Sequence, residues 1–225
     1  MSTFVLIHGA GDGGWAWHLL VAELEARGHD AVAPDLPSDD ESAGLEEYVQ
    51  TVVDAVGDKK DLVVVGHSLG GFTAPLVADR LQVDTLVLLA AMIPAPGESF
   101  NDWWSNTGYS AAARKQAARD GGLTGNDDPM VGYYHDVAPE IAKEAMRRER
   151  DQSNTPLDPP WPLDAWPDVP TKFILAKDDR FFPAEFLRSL AKERLGVTPD
   201  EIPGSHCVAL GHPKELAEVL DSYTR

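Results

Sequence analysis

The sequence predicts an α/β fold: a doubly wound, mostly parallel sheet broken once by a helical insertion. Three observations carry that prediction. Short runs of aliphatic and β-branched residues recur along the chain, each followed by a stretch with apolar residues at helical spacing. The runs are continuous rather than alternating, as expected of strands covered on both faces. The strand–helix alternation stops near residue 91 and resumes near residue 170, so the core is assigned to residues 1–91 and 170–225, with 92–169 inserted between two strands.

In chain order, residues 4–7 read as a buried strand running into His8-Gly9-Ala10-Gly11-Asp12-Gly13-Gly14. Trp17, Leu20, Val21 and Leu24 mark a helix stopped by Gly28. A weaker strand over 31–34 leads to Asp35, and the acidic stretch 38–44 reads as a loop. Leu45, Tyr48, Val49, Val52, Val53 and Val56 form a 3.6-residue stripe ended by Gly57. Residues 62–65 are a strand, 69–80 a helix, and 85–89 another strand.

The insertion predicts two helices, near 110–120 and 139–152, followed by an extended connector set by Pro156, Pro159, Pro160, Pro162, Pro167 and Pro170. Ligands of open α/β sheets bind beyond the carboxyl ends of the strands. The insertion is therefore expected to act as a lid, with Trp103, Trp104, Tyr133, Tyr134 and His135 as candidate pocket residues. The core then resumes with a strand over 172–176, a helix over 183–195, a short strand over 200–202 and a last helix carrying Leu216, Val219, Leu220 and Tyr223.

A net charge of −18 over 225 residues disfavours nucleic acid and anionic membrane surfaces as partners. No apolar run approaches the ~18 residues needed to span a bilayer. The single cysteine, Cys207, excludes an intramolecular disulfide, and Met1-Ser2 leads into the first strand without a basic leader. Together these features predict a cytoplasmic protein acting on an uncharged or weakly charged small molecule.

The chemistry gathers around Gly66-His67-Ser68-Leu69-Gly70, a G-x-S-x-G sequence between a strand and a helix. A serine attacks a carbonyl only when a base takes its proton. A neutral imidazole suits that task near pH 7, held by a carboxylate. Ser68 precedes Asp179, which precedes His206, the Ser…acid…His order of one hydrolase architecture. A competing signal lies upstream. Gly9, Gly11 and Gly14 match G-x-G-x-x-G with Asp35 about twenty residues on, the fingerprint of an NAD-binding oxidoreductase.

These motifs resemble the α/β-hydrolase superfamily, and most closely the small esterases grouped with plant salicylate methylesterases and hydroxynitrile lyases. The similarity covers both sheet-forming parts, and in the lid only its length and helical character. It implies a six-stranded sheet, because the chain begins on what resembles the third strand of the fold. By this resemblance Ser68 is the nucleophile, His206 the base and Asp179 the acid, with Asp178 the adjacent alternative. The oxyanion hole falls on the N–H groups of Ala10 and Leu69. The implied activity is hydrolysis of a small, largely apolar carboxylic ester through an acyl-serine, without metal or cofactor. Lyases of the group carry threonine after the loop histidine and lysine after the catalytic histidine, where this chain has Gly9 and Cys207. A cofactor-free haloperoxidase, a lyase-like activity on the same residues and a non-catalytic ligand-binding protein are the alternatives within the fold.

The remaining histidines are assigned supporting places. His8 and His67 are expected to brace the oxyanion loop and nucleophile turn, and His18 and His29 to lie on the surface. His212 reads as a helix-start residue and the rival base. Asp35 is expected in a turn or supporting the loop after the first strand, and Cys207 packed beside the base.

Overall fold

The computed structural model describes residues 1–224. Six strands form one wholly parallel sheet: β1 (Thr3–Ile7), β2 (Asp30–Val32), β3 (Leu62–His67), β4 (Val83–Leu89), β5 (Thr171–Ala176) and β6 (Asp200–Ile202), in the order β2-β1-β3-β4-β5-β6. The core helices are α1 (His18–Ala26), α2 (Leu45–Val56) and α3 (Gly70–Arg80) in the first part. Between β4 and β5 lie α4 (Phe100–Asn106), α5 (Tyr109–Asp120), α6 (Pro129–Gly132) and α7 (Pro139–Arg147). The chain ends with α8 (Ala184–Leu195), α9 (Val208–Gly211) and α10 (Pro213–Ser222).

The period-two geometry of a strand sorts the aliphatic runs into two layers. Val5, Ile7, Val64, Leu86, Leu88, Phe173 and Leu175 face one way and pack with α2, α3 and α8. Phe4, Leu6, Val63, Val65, Val87, Leu89 and Ile174 face the other way and pack with Leu20 and Leu24 of α1 and Leu216 and Leu220 of α10. Both faces are covered, which is why the runs read as continuous apolar sequence. Each fully buried side chain of this kind contributes about 1.5–3 kcal/mol.

Boundaries shift where tertiary bonds intervene. Trp17 belongs to a 3₁₀ turn, Gly14–Trp17, rather than to α1. β4 starts at Val83, two residues before the predicted position. The helix expected over 139–152 stops at Arg147. Beyond it the Arg150 N–H donates to the Gly11 carbonyl, and its guanidinium reaches the Leu36 carbonyl and Asp39. Those bonds draw the chain across the loops after β1 and β2. The unpredicted helices α4, α6 and α9 are too short for a periodic signal, although α4 has a capping serine, Ser99, whose Oγ accepts from the Asp102 N–H.

The inserted segment is fastened to the core by its indoles. Trp103 Nε1 donates to the Ile93 carbonyl, Trp161 Nε1 to that of Phe72 and Trp166 Nε1 to that of Pro94. Glu98 and Arg194 add a buried ion pair, with Arg194 also donating to Ile93. Losing Arg194 would leave the Glu98 carboxylate with only the Ala95 N–H and Asn106 as donors. Among the described residues no helix is long and apolar enough to cross a membrane.

Candidate active site

The strand order reverses beside β1: β2 lies on one side of it and β3 on the other. Connections leave the two central strands toward opposite edges, which opens a crevice at their carboxyl ends. The loop after β1 and the turn after β3 border that crevice.

Ser68 sits on this turn with φ +52°, a left-handed conformation that costs a non-glycine residue about 1–3 kcal/mol. Backbone bonds hold it there. The Ser68 N–H donates to Leu89, and its carbonyl accepts from Met92 and Gly71. The flanking glycines are required by space. A Cβ on Gly66 would lie 2.7 Å from Ala74 Cβ, and one on Gly70 would lie 2.8 Å from the Ile7 carbonyl oxygen. The turn can form only where both side chains are absent.

Three sequence-predicted residues are joined in a chain of hydrogen bonds. His206 Nε2 lies 3.0 Å from Ser68 Oγ, and His206 Nδ1 lies 2.8 Å from Asp179 Oδ2. The other oxygen of Asp179 accepts from the N–H groups of Phe181 and Phe182 at 2.7 and 2.9 Å. A carboxylate can only accept, so His206 carries its proton on Nδ1 and presents an acceptor to the serine. Asp178, the alternative acid, has another place. Its carboxylate accepts from the Gly204 N–H and ties the ends of β5 and β6 together.

Two buried histidines brace the surrounding backbone. His8 Nε2 accepts from the Leu36 N–H, so Nδ1 carries the proton and donates to the Gly9 carbonyl. His67 Nε2 donates to the carbonyl of His206. Burial holds His8 below the usual imidazole range and pushes His67 down to about 3. Both are therefore neutral spacers at neutral pH. Ala10 and Leu69 border the crevice beside Ser68, and Leu69 immediately precedes α3, where backbone N–H groups point out of the helix end.

Above Ser68 is a pocket of about 230 Å³. Trp104, Tyr133 and Tyr134 line it, as expected, together with Phe100, Met146 and Phe181, which the sequence reading did not single out. Two expectations are corrected. Trp103 is fully buried among Trp104, Tyr109, Phe182 and Phe186, on the core side of α4, and does not reach the pocket. His135 does not reach it either, because its ring donates from Nε2 to the Asp178 carbonyl.

That bond belongs to a strap of consecutive residues. The Tyr133 carbonyl accepts from Cys207 N–H, His135 holds Asp178, and Asp136 Oδ2 accepts from Ser205 N–H at 2.8 Å. His212 Nε2 lies 3.2 Å from the same carboxylate. Residues 133–136 thus grip the loops that carry both Asp179 and His206. His212, the rival base, is engaged with Asp136 and is absent from the pocket lining. His29 is also corrected: it is buried against Phe4 and paired with Asp221 of α10, not on the surface.

The glycine fingerprint after β1 serves the protein's own backbone. Gly14 abuts the Ala33 carbonyl, and its N–H donates to Asp35 Oδ1 at 2.7 Å. The carboxylate that would hold a ribose is spent fixing this loop. Among the described residues no group of three or more His, Cys, Asp or Glu side chains is placed to hold a metal ion.

Comparison with known proteins agrees with this architecture. The sequence profile described as "Alpha/beta hydrolase family" matches residues 4–219. The chain is 30% identical over 249 residues to a probable esterase, PIR7A, of Oryza sativa subsp. indica, covering 96% of this chain and 94% of that one. It is 26% identical to Methylesterase 7 of Arabidopsis thaliana, covering 98% and 96% of the two chains. Among solved structures, an extracellular alpha/beta-hydrolase from a Paenibacillus species, described as sharing structural and functional homology with tobacco salicylic acid binding protein 2, superposes with a TM-score of 0.80 at 22% identity. All of both chains are covered, and at that identity the likeness speaks for the fold alone. With the profile spanning nearly the whole chain and plant esterases and methylesterases among its relatives, the protein belongs to the alpha/beta hydrolase family.

Proposed function

We propose that the protein hydrolyses small, largely apolar carboxylic esters through an acyl–Ser68 intermediate. The observation that carries this reading is the bond chain Ser68–His206–Asp179 opening onto an aromatic-walled pocket. His206 takes the Ser68 proton as Oγ attacks the ester carbonyl, and Asp179 stabilises the imidazolium that forms. The N–H groups of Ala10 and Leu69 receive the oxyanion. Collapse expels the alcohol, protonated by His206. The same histidine then activates water to release the acid. In this reading residues 92–169 are the lid that supplies the apolar wall. Ester specificity is set there, by Phe100, Trp104, Tyr133, Tyr134 and Met146.

A fluorophosphonate probe followed by intact-mass analysis tests the nucleophile. Wild-type protein should gain one adduct, and Ser68→Ala none. Equal labelling of both proteins, or no wild-type adduct, would discard the assignment.

The strap offers a second test. Asp136→Ala frees the Ser205 N–H and removes the nearer of the two carboxylates facing His212. A small displacement of the base loop follows, and kcat should fall roughly 10- to 100-fold with KM nearly constant. Asp136→Asn, which keeps an acceptor for Ser205, should recover most of that loss in steady-state assays.

A further inference from the structure

The pocket contains two carboxyl groups that the proposed reaction does not use. Asp12 lies on the loop after β1, and Glu149 just beyond α7. Both line the same space as Ser68 and His206. Glu149 reaches over that loop, since a Cβ on Gly11 would sit 3.6 Å from Glu149 Cγ and 3.7 Å from its Oε1. Neither carboxylate has a hydrogen-bond or ion-pair partner among the described residues.

Nearby cations are already engaged. Arg148 bonds Glu144 and lies over the Trp15 ring, while Arg150 holds Asp39 and the Leu36 carbonyl. No lysine or arginine lines the pocket. Asp12 lines the pocket, and also a second, smaller cavity shared with His8, Trp17 and His67. The enclosing protein desolvates it and pushes its pKa up to about 6, with Glu149 acting in the same direction and His206 against it. A half-buried carboxylate without a counter-charge is partly desolvated, and a cation in the pocket would relieve that cost. The walls suit one: Phe100, Trp104, Tyr133, Tyr134 and Phe181 present rings on which an ammonium group can rest.

We infer that Asp12, assisted by Glu149, is a charge-selecting subsite that favours esters bearing an ammonium group over their neutral isosteres. The inference rests on the ester-hydrolase reading for turnover, while the recognition itself does not require it. Within that reading, the same charges would repel the carboxylate released on deacylation and aid its exit.

A matched pair of esters tests this directly: acetylcholine and 3,3-dimethylbutyl acetate, which differ by a positively charged nitrogen in place of carbon. In wild-type protein kcat/KM for the cation should exceed that for the neutral ester by about tenfold. Asp12→Asn should remove most of that preference, and Glu149→Gln a smaller part. Glu149 is exposed, so its variant reports even where Asp12→Asn folds poorly. A wild-type ratio near one, or a ratio unchanged in both variants, overturns the subsite. If neither ester turns over, calorimetry with choline and 3,3-dimethyl-1-butanol separates the two readings. Tighter binding of choline that is lost in the variants upholds the subsite without the hydrolase. Equal affinity, or binding of neither, overturns the subsite.

Discussion

Ser68→Ala should lower kcat/KM for any ester the protein hydrolyses by about 10⁵-fold, because no other group in the pocket can take over the attack. Cys207 borders the pocket, but burial pushes its thiol well above the ordinary range, so little of the reactive thiolate is present. Some acceleration over water should survive, since the proposed oxyanion donors, the Ala10 and Leu69 N–H groups, are untouched. The fold should survive as well. Ser68 Oγ bonds His206, and a single such bond contributes about 1 kcal/mol. Steady-state kinetics and a melting curve on the same preparation check both halves. More than one per cent residual activity would point to a different nucleophile.

Asp179→Asn should cost about 10⁴-fold in kcat, and Asp178→Asn less than tenfold. The side chains are neighbours with different duties. Asp179 is fully buried, and its two oxygens accept from His206 Nδ1 and from the N–H groups of Phe181 and Phe182. An asparagine there keeps its oxygen on the two amides and turns its NH₂ toward Nδ1. That favours the imidazole tautomer with the proton on Nε2, which cannot accept from serine. Asp178 accepts from Gly204, and the oxygen of an asparagine can do the same. Parallel kcat measurements decide the matter, and the reverse order would move the acid to Asp178.

Much of this arrangement was legible because its causes are local. The aliphatic runs announced buried parallel strands, and Gly66 and Gly70 announced a turn too crowded for side chains. The order of Ser68, Asp179 and His206 narrowed the candidates, and the prolines after residue 155 marked the connector. The pocket was harder to read. Trp103 and Trp104 are adjacent on one helix, so their side chains project about 100° apart. Which of them meets solvent depends on how α4 docks, and the bond from Trp103 Nε1 to the Ile93 carbonyl settles that docking. His29 looked like a surface residue, yet it is buried by a partner 192 positions away.

The charges near the site follow the same division. Asp12 stood in a glycine loop as one acid among many, with nothing in the chain to pair it with Glu149. The two meet because α7 ends early and Arg150 pins the following chain to Gly11. The strap of residues 133–136 is likewise invisible in sequence, for its bonds to Asp178, Ser205 and His212 span some 40 to 80 positions. Sequence by itself determined the α/β sheet, the serine turn and the candidate acid and base, because strand burial and turn sterics act over a few residues. Tertiary structure decided which aromatic rings wall the pocket, which histidines are buried and which carboxylates lack a partner. Those outcomes depend on how separately folded elements pack, and only the assembled sheet and its insertion bring their residues within contact distance.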